Sequence, residues 1–307
     1  MEPFHQDPSS PEVLIEMKDV TVGNSSLPEN LLVEAWNWKI KSGDFWVLGG
    51  MSGAGKTELI SVAAGIHKPR KGSLTFFGKE VQHIEPEAYL REKLNVGMVF
   101  EDGGRVFHDL SVYDNLMLPL NYHELATADQ NQKWALQILE MTGMSSMMDQ
   151  SAGKLSRNWR QRLGLARAMT LRPEVLFLDH PLGVVDAYHG QWWLVFLDEL
   201  FKGIGGWKPR SVIVTASDLT PWIDRVNRIG LIRGVAGVSG IRPRSRRRSW
   251  STRGSWRSID VSALFTNGDV SMLKVWAAPT CGDGFPQDPC YMWDAQLEVA
   301  SFALSNY

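Results

Sequence analysis

The sequence predicts an α/β fold, and three local patterns support that prediction. The aliphatic runs VLFLD at 175–179 and SVIVTAS at 211–217 are typical of strands buried on both faces in a parallel sheet. A third run, FWVLGG at 45–50, leads directly into glycine-rich sequence. The segment GAGKTELISVAAGI at 53–66 then places apolar residues at helical spacing. Strand, loop and helix therefore follow one another without interruption.

The remaining segments complete this α/β prediction. Two runs, VLIEMKDVTV and LLVEAWNWKI, are separated from each other and from FWVLGG by short polar turns, which predicts an antiparallel start. Further elements are expected as a hairpin arm at SLTFFGKEV, a buried strand at LNVGMVF, helices over residues 110–150, and a last strand at RIGLI. The sequence contains no internal repeat.

Composition excludes several classes of protein. The chain has 307 residues, of which 44% are hydrophobic, enough for one large folded domain with or without an appendage. Lys and Arg number 32 against 34 Asp and Glu, so the balance does not favour nucleic acid as a partner. Cys281 and Cys290 are too few for a disulfide framework or a structural zinc site. We expect neither a signal peptide nor a membrane span, because no stretch has the ~20 consecutive apolar residues that a span needs.

The chain divides into three parts. Residues 1–11 are polar and predict a disordered lead, and residues 12–232 carry the α/β pattern. From Arg233 the composition changes abruptly to RGVAGVSGIRPRSRRRSWSTRGSW, which predicts a basic linker followed by an irregular, unassigned tail to residue 307. A solvated linker is the simpler interpretation, and binding of acidic lipid headgroups is the alternative.

A phosphate-binding motif occupies residues 50–57. The sequence GMSGAGKT fits G-x-x-x-x-G-K-[ST], the P-loop pattern. Such a loop points successive backbone N–H groups at phosphate oxygens, the following helix adds its positive end, the lysine supplies a charge and the threonine a Mg²⁺ ligand. The alternative is a glycine-rich turn that happens to precede a helix. The candidate nucleotide-binding residues are Gly50, Ser52, Gly53, Ala54, Gly55, Lys56, Thr57 and Glu58.

A second Mg²⁺ ligand is expected at Asp179. This residue ends the buried run VLFLD, where a P-loop protein needs a carboxylate. An aspartate that ends a strand is often only a loop residue, but its pairing with the P-loop favours the functional interpretation. Together, the two motifs predict a site for Mg²⁺ and the phosphates of ATP.

The segment KLSRNWRQRLGLARAMTLRPEVLFLDHP resembles the stretch of ABC (ATP-binding cassette) ATPases that runs from the signature motif to the Walker B strand. PLGVVD, which ends at Asp186, is similar to the D-loop, and VIVTASD to the switch strand. The Q-loop region is resembled by VGMVFEDGGRVFHDLSVYDNLMLPL. The sequence of this segment is most similar to the ATPases of MCE-type lipid transporters. The resemblance covers about residues 12–232. The residues that fall in register with the family pattern of this stretch, without a gap, are Leu155, Ser156, Gln161, Arg162, Ala166, Arg167, Ala168, Pro173, Asp179 and Pro181.

This resemblance implies a P-loop NTPase core with an antiparallel β-subdomain and a helical insertion at about 105–165. It also implies a head-to-tail homodimer or heterodimer of ATPase subunits that holds ATP and Mg²⁺ between P-loop and signature motif. The expected partner is a transmembrane permease, which would keep the chain in the cytoplasm at the periphery of the inner (plasma) membrane.

The departures from the family pattern concentrate on hydrolysis. His180 stands where the family has its catalytic glutamate, and Ser217 where it has the switch histidine. Glu101 replaces the Q-loop glutamine; it retains an oxygen ligand for Mg²⁺ but adds negative charge. We therefore expect these three residues to decide whether ATP is turned over.

The signature and the adenine site depart as well. Ser156 is retained, but Arg157, Asn158 and Trp159 replace Gly-Gly-Gln, and these side chains would hinder close approach to the γ-phosphate of a partner subunit. Arg157 is a candidate direct phosphate contact, and Asp186 belongs to the same dimer-facing set. Glu58 replaces a hydroxyl residue, and Val22 falls where an aromatic residue usually stacks on adenine. Trp36 and Trp38 nearby are expected to pack in the core.

Three functions remain open at this point. The first is the ATP-binding subunit of a transporter for lipid or other hydrophobic cargo. The second is a catalytically weak or inactive module that binds nucleotide and regulates a partner. The third, a soluble ATPase of DNA repair or translation, is disfavoured because the chain has neither a second cassette nor a long coiled-coil insertion.

Overall fold

The computed structural model of this chain describes residues 12–24, 31–124 and 126–232. The predicted lead at 1–11, the basic linker and tail at 233–307, and both cysteines lie outside the described residues. In the described part, nine strands form: β1 (Val13–Gly23), β2 (Leu31–Lys41), β3 (Phe45–Gly50), β4 (Lys71–Phe76), β5 (Lys79–Glu80), β6 (Val96–Val99), β7 (Val175–Leu178), β8 (Ser211–Thr215) and β9 (Arg228–Ile232).

The same ranges contain six α-helices: α1 (Lys56–Ala63), α2 (Pro86–Lys93), α3 (Val112–His123), α4 (Ala128–Met141), α5 (Arg157–Met169) and α6 (Ala187–Lys202). Single 3-10 turns at Ser145–Met147 and Ala152–Lys154 connect α4 to α5. Among the described residues, no helix is both long enough and apolar enough to cross a membrane.

An antiparallel sheet begins the fold, in the order β2-β1-β4-β5. Its first two strands confirm the antiparallel start expected from the alternating pattern of VLIEMKDVTV and LLVEAWNWKI. Trp36 and Trp38 point into the core and are 1% and 2% exposed, as expected for packing residues. The ring of Trp38 meets the edge of Trp46 on β3, with centroids 5.6 Å apart, so aromatic packing joins this sheet to the next one.

A parallel sheet in the order β6-β7-β8-β3-β9 forms the centre of the molecule. The sequence prediction that FWVLGG continues the antiparallel start is wrong, because β3 pairs in parallel with β8 and β9. Its four apolar residues, Phe45 to Leu48, are all buried, as expected for a strand covered on both faces. Parallel pairing brings the carboxyl ends of β3, β6, β7 and β8 to one edge of the sheet, where α/β proteins bind ligands.

Helices α3, α4 and α5 pack together on one face of this sheet. Leu116, Trp134, Ile138 and Leu163 lie in the same buried cluster as Leu176 of β7. Side-chain hydrogen bonds cap the N-termini of α3 and α4. Ser111 accepts a hydrogen bond from the backbone of Asp114, and Thr127 forms a reciprocal capping box with Gln130. The insertion expected at about 105–165 contains α3, α4 and most of α5, which continues to Met169.

Helix α5 is in backbone contact with the loop that follows β6. A Cβ atom on Gly164 would lie 2.3 Å from the carbonyl oxygen of Gly103, and one on Gly103 would lie 2.4 Å from that of Arg160. No side chain fits between the two segments, so the helix and the loop are held at a fixed distance.

We therefore expect Gly164→Ala to destabilise the protein by about 1–3 kcal/mol, because the new methyl group must displace backbone rather than a flexible side chain. The matched control is Gly190→Ala in α6, where an added Cβ would lie at an ordinary 3.6 Å from Val185. Alanine there is expected to be neutral or to stabilise by up to ~1 kcal/mol. Urea unfolding of both variants measures the difference, and equal stabilities would contradict the close contact.

Candidate functional site

The glycine-rich loop between β3 and α1 has the geometry of an anion-binding cradle. Gly55 adopts φ 91°, and a Cβ at this position would lie 2.8 Å from the Cβ of Leu32, so only glycine fits. Gly55 is also the N-cap of α1, and no side chain caps the helix. The N–H groups of the first turn are consequently left for a ligand, at the positive end of the helix dipole.

Lys56 places its ammonium group inside this loop. The residue is 9% exposed, and its Nζ donates to the carbonyl oxygens of Gly50 at 2.7 Å and Met51 at 2.9 Å. Burial lowers the pKa of Lys56, and the nearby negative charge of Asp179 raises it. An additional anion in the cradle would favour the charged form of this lysine in the same way as Asp179 does.

Asp179 joins the loop to the sheet. Its carboxylate is 5% exposed; Oδ2 accepts a hydrogen bond from Thr57 Oγ1 at 2.8 Å, and Oδ1 accepts one from Thr215 Oγ1 at 2.7 Å. The same Thr215 oxygen accepts from the backbone N–H of His180 at 2.9 Å. The structure therefore brings together Thr57 and Asp179, as the sequence predicted, and adds Thr215, which sequence reasoning missed.

The donor set around Thr57 and Asp179 fits Mg²⁺. A hydroxyl and a carboxylate oxygen are the hard ligands that this ion prefers, and Mg²⁺ usually takes its other ligands from water and phosphate. Within the described ranges, no group of three or more His, Cys, Asp or Glu side chains forms a metal site.

Glu101 and His180 follow the adjacent strands β6 and β7. Glu101 Oε1 lies 3.9 Å from His180 Nδ1, and both side chains are partly exposed. His180 has φ 45°, an unusual value for a residue other than glycine. Its imidazole lies over Gly183, where an added Cβ would be 2.3 Å from Nδ1. The two residues that depart from the family pattern here are thus in contact with each other.

The other predicted residues around the loop lie at different distances from the core. Ser52 and Gly53 are exposed, Ala54 is buried, and Glu58 lies half-buried in the first turn of α1. Ser217 is exposed in the bend after β8, two residues beyond Thr215. Val22 is 3% exposed and pairs with Val33 of β2, so it lies in the core and is not available to stack on adenine.

The altered signature motif lies at the start of α5. Ser156 is the N-cap of this helix, and both it and Arg157 are exposed. Asn158 Nδ2 donates to Asp186 Oδ2 at 2.6 Å, and Asp186 Oδ1 accepts from the backbone of His189 at 2.8 Å to cap α6. The predicted dimer-facing residues Asn158 and Asp186 are therefore hydrogen-bonded to each other within one chain.

Trp159, the third altered signature residue, covers a buried arginine. The guanidinium of Arg162 lies 4.6 Å from the ring centroid of Trp159 and 3.7 Å from that of Trp192. Arg162 is 1% exposed, and within the described residues its Nε and Nη2 atoms have no hydrogen-bond partner. Burial lowers the pKa of Arg162 to about 10, although Tyr188 and Asp186 act in the opposite direction. The guanidinium thus makes cation–π contacts with both rings.

The family model described as ABC transporter matches residues 33–183. A sulfate/thiosulfate import ATP-binding protein of Mesostigma viride is 34% identical over 49% of this chain and 41% of that protein. A taurine import ATP-binding protein of Pseudomonas aeruginosa is 34% identical over 54% of this chain and 59% of that protein. The chain spans about half the length of the curated relatives it matches.

Solved structures show the same fold. An ATP-binding cassette in a dimeric post-hydrolysis state with ADP and phosphate has a TM-score of 0.63 and 22% identity, covering 72% of this chain and 94% of that one. A component of an ABC transporter complex from Clostridium perfringens has a TM-score of 0.62 and 22% identity, covering 72% and 85%. The described residues therefore have the ABC ATPase cassette fold, and residues 33–183 are similar to the ABC transporter family.

Proposed function

We propose that this chain is the ATP-binding subunit of an ABC transporter, which binds Mg-ATP and powers or gates a membrane partner. The proposal rests on one observation, which is that the phosphate cradle is hydrogen-bonded to the edge of the parallel sheet. Lys56 lies inside the loop, and Thr57 donates a hydrogen bond to Asp179 at the end of β7. The relatives named as import ATP-binding proteins support the same function.

In this proposal each part of the cradle has a separate task. The backbone N–H groups at the start of α1 and the Lys56 ammonium hold the phosphates, while Thr57 and Asp179 hold Mg²⁺. Bound Mg-ATP supplies a phosphoryl group whose transfer to water releases free energy. Glu101, partly exposed beside His180, is the further candidate Mg²⁺ ligand.

Binding by the cradle is tested with Lys56→Ala. We expect Mg-ATP affinity to fall by about tenfold to hundredfold, because a charge-assisted hydrogen bond is worth ~1.5–3 kcal/mol. The control is Lys133→Ala, which removes an exposed lysine of α4 that is distant in sequence from the 50–57 loop. Isothermal titration calorimetry measures both, and unchanged affinity in Lys56→Ala would contradict the assignment of the cradle.

Hydrolysis by this chain is proposed to be weak. The position after Asp179 carries the imidazole of His180, which is turned over Gly183 and towards Glu101, and the switch position carries the short, exposed side chain of Ser217. His180 lacks the carboxylate of the family's catalytic glutamate, and Ser217 lacks the reach of the family's switch histidine. These observations are the reason to keep the second candidate function, a nucleotide-binding module that regulates its partner with little or no turnover, as the alternative.

The double variant His180→Glu, Ser217→His tests this interpretation. We expect phosphate release to rise by about 10²-fold or more, because one preorganised group is typically worth 10²–10³ in rate. The same double variant carrying Lys56→Ala provides the background rate. If the double variant gains nothing, the replaced groups do not limit turnover and the proposed cause of weak hydrolysis is wrong.

The proposed partners are a transmembrane permease and a second ATPase subunit, in a homodimer or a heterodimer. The dimeric cassette among the similar structures supports the second ATPase subunit, and a relative named as a macrolide export ATP-binding/permease protein supports the permease. Such an assembly would hold the chain at the cytoplasmic face of the inner membrane. The proposal of lipid or another hydrophobic cargo rests only on the sequence of the Q-loop region. The names of the relatives specify cargoes as different as sulfate and taurine.

A further inference from the structure

Gln161 is a buried amide that joins three other segments of the chain. The residue is 1% exposed and lies in α5, five residues after Ser156. Its Nε2 donates to the carbonyl oxygens of Glu101 at 3.1 Å and Pro181 at 3.2 Å. Its Oε1 accepts from the indole Nε1 of Trp193 at 3.0 Å. Both hydrogens of Nε2 are therefore used, and the oxygen is used as well.

The partners of Gln161 belong to the two loops that carry the hydrolysis candidates. Glu101 lies in the loop after β6, and Pro181 directly follows His180 in the loop after β7. Trp193 lies in α6, the helix that Asp186 caps. One side chain of the signature helix thus contacts the loop of Glu101, the loop of His180 and the helix after Asp186.

The backbone around Gln161 leaves little freedom for these segments to slide. The Gly103–Gly164 contact holds the first loop against α5. In the second loop, the carbonyl oxygen of His180 accepts from the N–H of Gly183 at 2.9 Å, which closes a tight turn. A displacement of α5 would therefore be transmitted to both loops at once.

We propose that Gln161 is a positioning residue that sets the loops of Glu101 and His180 relative to the signature helix. It does not itself contact nucleotide; it fixes the main chain from which those two side chains project. The relevance to ATP rests on the proposed function, whereas the positioning of the two loops does not. Only a neutral amide of this length donates two hydrogen bonds and accepts one here.

The full chain carrying Gln161→Met provides the first test, without nucleotide. Methionine keeps the length and apolar volume but leaves two carbonyl groups and an indole N–H without their partner. We expect the amides of residues 101–104, 182 and 183 to exchange hydrogen about tenfold or more faster, because the carbonyl groups of both loops lose their buried hydrogen-bond donor. The indole N–H signal of Trp193 should shift in the nitrogen-15 spectrum, and exchange in 50–57 should remain unchanged.

Thr142→Val is the matched control. Thr142 is fully buried, and its Oγ1 donates to the carbonyl oxygen of Ile138 at 2.7 Å, at the end of α4. This variant removes the buried hydrogen bonding of one hydroxyl, fewer bonds than Gln161→Met removes, at nearly constant volume, so it serves as a reference for a loss of stability outside the two loops. If exchange in the two loops is no faster in Gln161→Met than in Thr142→Val, Gln161 does not position them and the proposal is overturned.

Nucleotide measurements provide a second, separate test. We expect Gln161→Met to retain Mg-ATP affinity within about threefold, because Lys56 and the α1 backbone are untouched, and to lose about tenfold or more of whatever turnover the unsubstituted chain has. Equal losses in affinity and turnover would contradict a positioning role. If the unsubstituted chain binds no Mg-ATP, the proposed function fails, and the ligand-free exchange result still decides the role of Gln161.

Discussion

The carboxylate of Asp179 is the constraint on which the rest of the site depends. A buried carboxylate is tolerated only when its oxygens are paired, and here Thr57 and Thr215 each donate to one oxygen. These two bonds tie the start of α1 and the end of β8 to the end of β7. The negative charge also favours the protonated form of Lys56, which burial alone would disfavour. The cradle and the sheet edge are therefore a single structural unit.

The altered signature residues have roles within their own domain. Trp159 covers Arg162, whose guanidinium also lies over the ring of Trp192, and Asn158 bonds to the carboxylate that caps α6. These contacts bury a guanidinium that would otherwise need water, and they join α5 to α6. Glycines at the same positions offer no side chain for such contacts. Side-chain packing and one side-chain hydrogen bond thus hold the start of α5 in this chain.

The sequence allowed prediction of those elements whose residues form a distinctive local pattern. Strands β7 and β8 were identified because their continuous aliphatic runs are buried on both faces, and the P-loop because its spacing is specific. Helix α2 was missed because it has no buried residue and hence no apolar period, and α6 because its Trp, Val and Phe residues also suit a strand. Thr215 and Gln161 were missed as site residues because their partners lie 36 and 60 residues away in sequence, at distances set by the tertiary fold.

The short segment from Asp179 to Gly183 shows how these constraints act together. Thr215 holds its beginning through the side chain of Asp179 and the N–H of His180, and Gln161 holds its middle through the carbonyl of Pro181. Between these points His180 adopts φ 45°, a conformation that costs a residue other than glycine ~1–2 kcal/mol. That conformation persists because both sides are fixed, and it turns the imidazole towards Glu101 and over Gly183. Hydrogen bonds thus hold the main chain on both sides of His180. A glutamate introduced at position 180 would have to adopt the same main-chain conformation.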